Sequence, residues 1–335
     1  MPPKKRARVS SSTSNLQQPN NAGPSFNVPP NKRTRADSTS KPPQLANALP
    51  RKLGLNQVYP NPSDTSRKID IDIVAIHGLD THSPKTWVRF KNGRDETDGV
   101  VHWLQDPDML PSTISTARIF TYDWNANFDR EAATESLLGH ADGLLLQLQM
   151  QREEAHNRPI IFVASCFGGL LLCKALHRAS GRHSKYSRIL DSTVGVTFLG
   201  TPFRGSSDGF LTAAQLRLKV AESMGGETAN ELIKYLSRNE QERKQLDDAV
   251  QEFCELAKAS TFKDSIYCFY ETQKSSGDHG ILVPKYSACL DFSNLRVGLP
   301  VRHALLNKFS GPDDIAFQTV SYSLKEIADQ KIQSG

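Results

Sequence analysis

The sequence predicts an α/β fold in which helices cover both faces of a mostly parallel sheet. After about residue 66, short apolar segments alternate with longer segments of helical apolar spacing. Repeated βα units of this kind indicate a parallel sheet, because parallel neighbours need crossover connections. The strand-like segments are residues 69–76, 118–122, 160–164, 193–199 and 265–270, and the helical spacing covers 131–157 and 211–259.

The most informative segment runs from Ile160 to Gly169, where an apolar strand passes through a small-residue turn into an apolar helix. This order is typical of a nucleophile elbow, in which the middle residue of a G-x-S-x-G-like frame sits at the tip of a strained turn. The frame reads Ala164-Ser165-Cys166-Phe167-Gly168 and puts Cys166 at the tip. Ser165 falls one residue before the tip, so we expect it to point elsewhere. An ordinary crossover with a buried cysteine is the alternative.

The first 66 residues differ in composition from the rest. They are rich in Ser, Pro, Asn, Thr and Lys and nearly lack aromatic and β-branched residues, so we expect a disordered tail over 1–66 and a folded domain over 67–335. Through Lys52 the tail carries ten Lys or Arg and one Asp, a charge of +9, and the total of +5 leaves −4 for the remainder. The basicity therefore does not predict a nucleic-acid-binding surface on the folded domain.

Two basic clusters in the tail predict nuclear targeting. Residues 2–9 (PPKKRARV) resemble a monopartite nuclear localisation signal of the viral large-T-antigen type, and residues 31–35 (NKRTR) form a second cluster. A nuclear import receptor is therefore an expected partner, because such receptors bind extended basic runs. The alternative is a basic, solvated linker in a cytoplasmic protein.

Several other classes of protein are not indicated. No apolar run approaches the length of a transmembrane helix, and the basic first residues lack the apolar core of a signal peptide. The five cysteines are scattered and form no C-x-x-C pair, which favours reduced thiols over disulfides or zinc. The sequence contains neither a P-loop nor an H-E-x-x-H spacing, so we expect no cofactor and no metal.

Further motifs accompany the elbow in a fixed order. They are His77-Gly78-Leu79 after the first strong strand, then residues 198–205 (FLGTPFRG), 270–272 (YET), 287–289 (SAC) and finally His303. Together they resemble the lipase-like α/β-hydrolases of fungi, serine esterases found as free proteins and as N-terminal domains of NACHT-type, NOD-like immune receptors. The resemblance spans residues 70–313 and implies an α/β-hydrolase fold with a mostly parallel central sheet.

Two positions depart from the family pattern. The family usually has His-Ser where this chain has Ser165-Cys166, and it has a histidine in the Thr-Pro-His-Arg-Gly motif where this chain has Phe203. The first change replaces the nucleophile itself. A cysteine can still serve, because a helix N-terminus and a nearby imidazole favour the thiolate, and Cys-His-acid sites carry out acyl transfer in other enzymes.

The order of residues in α/β-hydrolases implies the remaining members of a triad. Cys166 is the expected nucleophile, and His303 is the expected base because the histidine comes last in the chain. Glu271 is the expected acid, since it directly follows a late strand. Asp208 and Asp278 are weaker candidates, because no strand aims either of them.

The expected oxyanion donors are the backbone N–H groups of Leu79 and Phe167, which follow an early strand and the nucleophile. Gly78 would let the first of these loops approach the site. His77 and Gly168 are expected to support the same two turns.

A long helical stretch between Gly205 and about Ser260 exceeds what a crossover needs. Such insertions commonly form a lid over the acyl pocket of α/β-hydrolases, although a helical layer that covers the sheet is the alternative. The sequence thus predicts an ester or thioester hydrolase acting on a hydrophobic acyl substrate. The competing hypothesis is a catalytically inactive binding or signalling module of the same fold.

A fusion of residues 1–52 to a fluorescent reporter should accumulate in nuclei, because its basic runs lie in accessible chain. Changing Lys4, Lys5, Arg6 and Arg8 to Ala should return the reporter to the cytoplasm, as seen by microscopy. The same change in residues 31–35 serves as the matched control and should have the smaller effect. Nuclear accumulation of the first variant would show that this motif is incidental.

Overall fold

The computed structural model describes residues 51–91, 93, 97–127, 135–207, 214, 232–233, 236, 240–275 and 280–334. The basic clusters of the tail, most of the expected lid, and the alternative acids Asp208 and Asp278 lie outside these residues. The strands are β1 Gly54–Tyr59, β2 Ile71–Ile76, β3 Val88–Phe90, β4 Val100–His102, β5 Ala117–Asp123, β6 Ile160–Ser165, β7 Thr193–Leu199, β8 Ile266–Glu271 and β9 Leu295–Leu299.

Helices lie between these strands and after the last of them. They are α1 Ser83–Thr86, α2 Leu110–Thr113, α3 Leu137–Gln151, α4 Gly168–Ala179, α5 Ser187–Ser192, α6 Glu240–Ala259, α7 Lys285–Ala288 and α8 Ile315–Ser334, with a 3-10 turn at His303–Leu305. Among the residues described, no helix is both long enough and apolar enough to cross a membrane.

Seven of the described strands form one sheet in the order β1-β5-β2-β6-β7-β8-β9, and β3 pairs with β4 in a separate hairpin. Every neighbouring pair in the large sheet is parallel except β1 and β5. This strand order, with the elbow directly after β6 at the middle of the sheet, is that of an α/β-hydrolase. The fold class predicted from the sequence is confirmed.

Helices cover both faces of the sheet, as β2 illustrates. Ile73 and Ala75 belong to one buried apolar cluster, whereas Val74 and Ile76 belong to the other. Helices α3, α4 and α6 contribute to the second cluster and α8 to the first. Strands buried on both faces are mostly apolar, which is why they are recognisable as apolar segments of the sequence.

The register brings the carboxyl ends of the central strands to one edge. Ile76 lies opposite Ala164, and Ser165 lies opposite Leu199. Leu199 in turn lies opposite Phe269, two residues before the end of β8. The residues that follow β2 and β6, together with the end of β8, therefore meet at the same edge, where α/β proteins bind their ligands.

The boundary predicted at residue 66 is wrong, because β1 lies before it and pairs with β5. The segment is an edge strand with a partly exposed surface, so it carries Asn and Gln where a central strand would be apolar. The backbone N–H of Leu55 donates to the side chain of Gln147 on α3, 2.6 Å away. Arg51 pairs with Asp123 at the end of β5, with Nε 3.0 Å from Oδ2.

Strand β9 and helix α8 were not identified from the sequence either. The segment LRVGL is only partly buried at the far edge of the sheet. Helix α8 follows His303, the last of the motifs recognised in the sequence. The end of the expected lid, α6, is described and buries Leu246, Phe253 and Ala257. It packs on α4, where Lys174 and Glu252 form an ion pair of 3.0 Å, so this part covers the sheet.

A chain that lacks residues 1–60 should melt at a lower temperature than a chain that lacks residues 1–48. The longer deletion removes β1 and the ion pair between Arg51 and Asp123, and the shorter one is its matched control. For a domain of this size each kcal/mol lost lowers the melting temperature by about 2–4 °C, and we expect a difference of several degrees by calorimetry. Equal melting temperatures would contradict a structural role for β1.

Candidate active site

Cys166 occupies the tip of a tight turn between β6 and α4. Its φ angle is +50°, a left-handed conformation that residues other than glycine rarely adopt and that marks strained, functional turns. The backbone N–H of Cys166 donates to the carbonyl of Leu199 over 2.9 Å, which ties the turn to the neighbouring strand. The elbow expected from the sequence is thus present.

Two glycines allow this turn to touch the loop that follows β2. A Cβ atom at Gly78 would lie 2.7 Å from the Cβ of Cys166, and a Cβ atom at Gly168 would overlap the carbonyl oxygen of His77. Both Cβ atoms would lie closer to these neighbouring atoms than van der Waals contact allows. A larger residue at either position would therefore push the two segments apart. The loop carrying Leu79 therefore lies directly beside the tip of the elbow.

His303 lies between Cys166 and Glu271, as expected for a triad. Its Nδ1 is 2.6 Å from Oε2 of Glu271, and the side chain of Cys166 lies near enough to its ring to raise the pKa of His303. Glu271 is 3% exposed and is held by the backbone N–H groups of Leu282 and Val283, which both donate to its Oε1. The structure therefore brings together the three side chains selected from the sequence.

The charge of His303 is governed by its two partners. Burial lowers the pKa of His303, but its interactions with Cys166 and the hydrogen bond that its Nδ1 donates to Glu271 outweigh burial and raise the pKa to about 10. The imidazole is therefore protonated at neutral pH. A protonated imidazole next to a cysteine favours the thiolate, the form of cysteine that attacks electrophiles.

Ser165 is not aimed at this site. It is 3% exposed, and its Oγ accepts a hydrogen bond of 2.8 Å from the side chain of Asn307. The carbonyl of Asn307 in turn accepts from the indole of Trp103 over 3.0 Å. The expectation that Ser165 points away from the tip is confirmed, and it leaves Cys166 as the nucleophile candidate on the turn.

Phe203 accounts for the second departure from the family pattern. Its side chain is 1% exposed and meets the ring of Phe198 edge to face, with centroids 4.9 Å apart. The position is a core position in this chain. The neighbouring Arg204 donates to the carbonyls of Tyr286 and Cys289. The turn is thereby joined to residues 282–289, the segment whose backbone N–H groups bind Glu271.

Sequence reasoning missed three residues that surround the loop after β2. Asp123 ends β5 and Trp124 follows it. Both residues contact His77, and Arg51 contacts both of them. The available signal was the polar Asp123 directly after the apolar strand segment 118–122, because the ends of adjacent parallel strands share one edge. Within the ranges given above, no group of three His, Cys, Asp or Glu side chains is placed to hold a metal ion.

Comparison with known proteins gives distant relatives. No family model matches the chain. Protein SERAC1 of Bos taurus is 25% identical over 287 residues, covering 81% of this chain and 41% of that protein, and Protein SERAC1 of Mus musculus is 27% identical over 284 residues, covering 79% and 40%. The chain thus spans about two fifths of the length of the curated relatives it matches. The resemblance to fungal receptor domains stays a prediction.

Solved structures of similar shape include the mature lipase BlEst2 of Bacillus licheniformis, with a TM-score of 0.46 and 14% identity over 81% of this chain and 95% of that one. The monoacylglycerol lipase of Paleococcus ferrophilus has a TM-score of 0.43 and 12% identity, over 82% and 99%. Likenesses this distant carry no weight for the reaction. The fold assignment rests on the strand order and the elbow described above.

Alkylation of Cys166 by iodoacetamide should be faster at about pH 6.5 in the unmodified protein than in His303→Gln, by about tenfold or more, because only the protonated imidazole stabilises the thiolate at that pH. The difference should shrink as the pH rises towards about 10, where His303 loses its proton. Mass spectrometry of the alkylated peptide measures both rates.

Cys173 is the internal control for this measurement, because burial raises the pKa of its thiol well above the ordinary value. It should stay unmodified at every pH at which the protein is folded. Equal alkylation of Cys166 in both proteins at about pH 6.5 would show that no ion pair forms.

Proposed function

We propose that this protein is an ester or thioester hydrolase with Cys166 as nucleophile, His303 as acid–base and Glu271 as the carboxylate that orients the imidazole. One observation carries the proposal. A cysteine on a strained turn lies beside a histidine and raises the pKa of its ring, and that histidine has Nδ1 2.6 Å from a buried glutamate. This is the arrangement of an activated nucleophile, its base and the group that orients the base.

The first half of the reaction transfers the acyl group to the protein. The thiolate of Cys166 attacks the ester carbonyl carbon and forms a tetrahedral intermediate with negative charge on the former carbonyl oxygen. The intermediate collapses to a thioester on Cys166, and the leaving alkoxide or thiolate takes the proton of His303. Glu271 keeps the ring turned towards the leaving group through Nδ1.

The second half returns the protein to its starting state. His303, now neutral, removes a proton from water, and the hydroxide attacks the thioester carbonyl. The second tetrahedral intermediate expels the thiolate of Cys166 and releases a carboxylic acid. The acid loses its proton to solvent, and the imidazolium beside the thiolate is restored.

Two backbone N–H groups would stabilise both intermediates. Phe167 directly follows the nucleophile, and Leu79 lies on the loop that the small size of Gly78 brings against Cys166. Preorganised donors of this kind are worth about 10²–10³ in rate when one is removed. The positions of both residues agree with the role that the fold gives them.

The surroundings favour an apolar acyl chain. Leu79, Cys166, Tyr270 and Leu282 are partly buried and pack against the same apolar cluster beneath the elbow. Leu282 lies beside the acid, because its backbone N–H donates to Glu271. Apolar side chains beside the elbow and beside the acid favour a hydrocarbon acyl chain over a charged one.

Mass spectrometry after brief exposure to p-nitrophenyl esters of increasing acyl length should show an acyl group on Cys166. Cys166→Ala should abolish both this adduct and p-nitrophenol release, whereas Ser165→Ala should keep the adduct. Glu271→Gln should slow acylation less than His303→Gln does, because it leaves the base in place. Cys254→Ser, which changes a thiol outside the site, is the matched control and should act like the unmodified protein.

The competing hypothesis, an inactive binding module of the same fold, is the other outcome of this experiment. It would follow if Cys166 reacts with iodoacetamide but accepts no acyl group from any ester of the series. In that case the thiol is accessible and reactive, yet acyl transfer does not occur.

A further inference from the structure

The direction of one proposed oxyanion donor is set by the ring of His77. Nδ1 of His77 lies 2.8 Å from the carbonyl oxygen of Gly78, and His77 is completely buried. That carbonyl and the N–H of Leu79 belong to the same planar trans peptide, in which the two groups point in opposite directions. A His77 ring that holds the carbonyl on one side therefore directs the N–H of Leu79 to the other side.

The ring of His77 is held in turn by Asp123. Nε2 of His77 is 2.8 Å from Oδ1 of Asp123, and the second carboxylate oxygen of Asp123 is 3.0 Å from Nε of Arg51. The backbone N–H of Ser83 also donates to Oδ1, over 3.2 Å. Burial raises the pKa of Asp123, but the hydrogen bonds and charges of His77 and Arg51 outweigh burial and lower it. The carboxylate is therefore ionised at neutral pH.

Trp124 joins this loop to the elbow. Its indole stacks on His77 with centroids 5.7 Å apart and on Phe167 with centroids 6.2 Å apart. Its Nε1 donates to the carbonyl of His77 over 2.9 Å. The far side of the loop is held as well, because the N–H of Asp80 donates to the carbonyl of Ala126 over 3.0 Å. One buried side chain thus contacts both segments that carry the proposed donors.

We propose that Asp123 and Trp124, supported by Arg51, are positioning residues that hold the Leu79 N–H in the orientation an oxyanion requires. This inference rests on the proposed function, because it assigns these residues to that reaction. Asp123 acts through the ring of His77 on one peptide, and Trp124 fixes the distance between that peptide and the elbow. The chain of contacts from Arg51 through Asp123 to His77 orients a backbone peptide group and does not itself touch substrate.

Asp72 provides a matched control at the other end of the same sheet. Like Asp123 it is completely buried, and it pairs with Arg118 and Arg152 at the amino end of β2. Removing one partner of a buried ion pair is destabilising wherever the pair lies. Asp72→Asn and Asp123→Asn should therefore both lower the melting temperature, and only Asp123→Asn should alter the site.

Two measurements separate positioning from mere stabilisation. The first is the rate of Cys166 acylation by a p-nitrophenyl ester. We expect Asp123→Asn to lower this rate about tenfold or more at saturating ester. This loss is smaller than the factor of about 10²–10³ expected when a donor is missing. The ester concentration at half-saturation should change little, because the donor acts mainly in the transition state. Asp72→Asn should retain the unmodified rate when folded.

The second measurement needs no activity. The indole N–H of Trp124 should exchange with solvent faster in Asp123→Asn, as seen in nitrogen–proton NMR spectra, because the ring of His77 is no longer held. The indole of Trp103, which donates to the carbonyl of Asn307, is the internal reference and should keep its rate. Trp124→Phe assigns the signal and, by removing one donor while keeping a ring, should also slow acylation.

Arg51→Gln covers the case in which Asp123→Asn does not fold, because Arg51 is partly exposed. It should produce both effects in the same direction and to a smaller extent. Unchanged Trp124 exchange in these variants, or changes no larger than those in Asp72→Asn, would overturn the positioning role even if the unmodified protein is active. Faster Trp124 exchange in a protein that accepts no acyl group would support the structural coupling and refute the proposed reaction instead.

Discussion

The contact between the ends of β2 and β6 is the constraint on which the rest of the site depends. The loop after β2 and the turn after β6 meet so closely that neither Gly78 nor Gly168 could carry a side chain without moving the other segment. This approach places Leu79 beside Cys166 and brings His77 against the start of α4. The strained backbone of Cys166 persists because strands on both sides hold the turn in place.

Two buried carboxylates, Glu271 and Asp123, each hold a histidine ring in one orientation. Glu271 is buried and bound by two backbone N–H groups, so it cannot turn away from His303. Asp123 is equally confined by Arg51 and Ser83 and presents one oxygen to His77. A buried carboxylate is expensive unless its hydrogen bonds are satisfied, and satisfied ones fix the geometry of their partners. Each carboxylate thereby fixes the orientation of the histidine ring that it contacts.

Replacement of the usual serine by cysteine changes the protonation state in which such a site rests. A serine hydroxyl stays neutral until attack, whereas a thiol beside His303 can pass its proton to the imidazole beforehand. Cys166 and Glu271 together raise the pKa of His303 to about 10. In the proposed reaction, the imidazolium then donates its proton to the leaving group.

The elements that the sequence predicted well are those whose pattern is local. Strands β2, β5, β6, β7 and β8 are recognisable in the sequence because strands buried on both faces are mostly apolar, although β2 also buries Asp72. The elbow was recognisable because its strand, turn and helix are contiguous. Strand β1 was missed, and the domain boundary was therefore misplaced. An edge strand is half exposed, and the polar residues of β1 resemble the polar composition of the residues before it.

The sequence by itself determined the α/β class, the turn with Cys166 at its tip, and the order in which an acid and a histidine follow it. Only the tertiary structure decided that Glu271 and His303, 32 residues apart, are in contact, and that Arg51, Asp123 and Trp124 surround His77. The physical reason is that such partners come from different strand ends. Their proximity is created by the register of the sheet, and no local pattern in the chain records it.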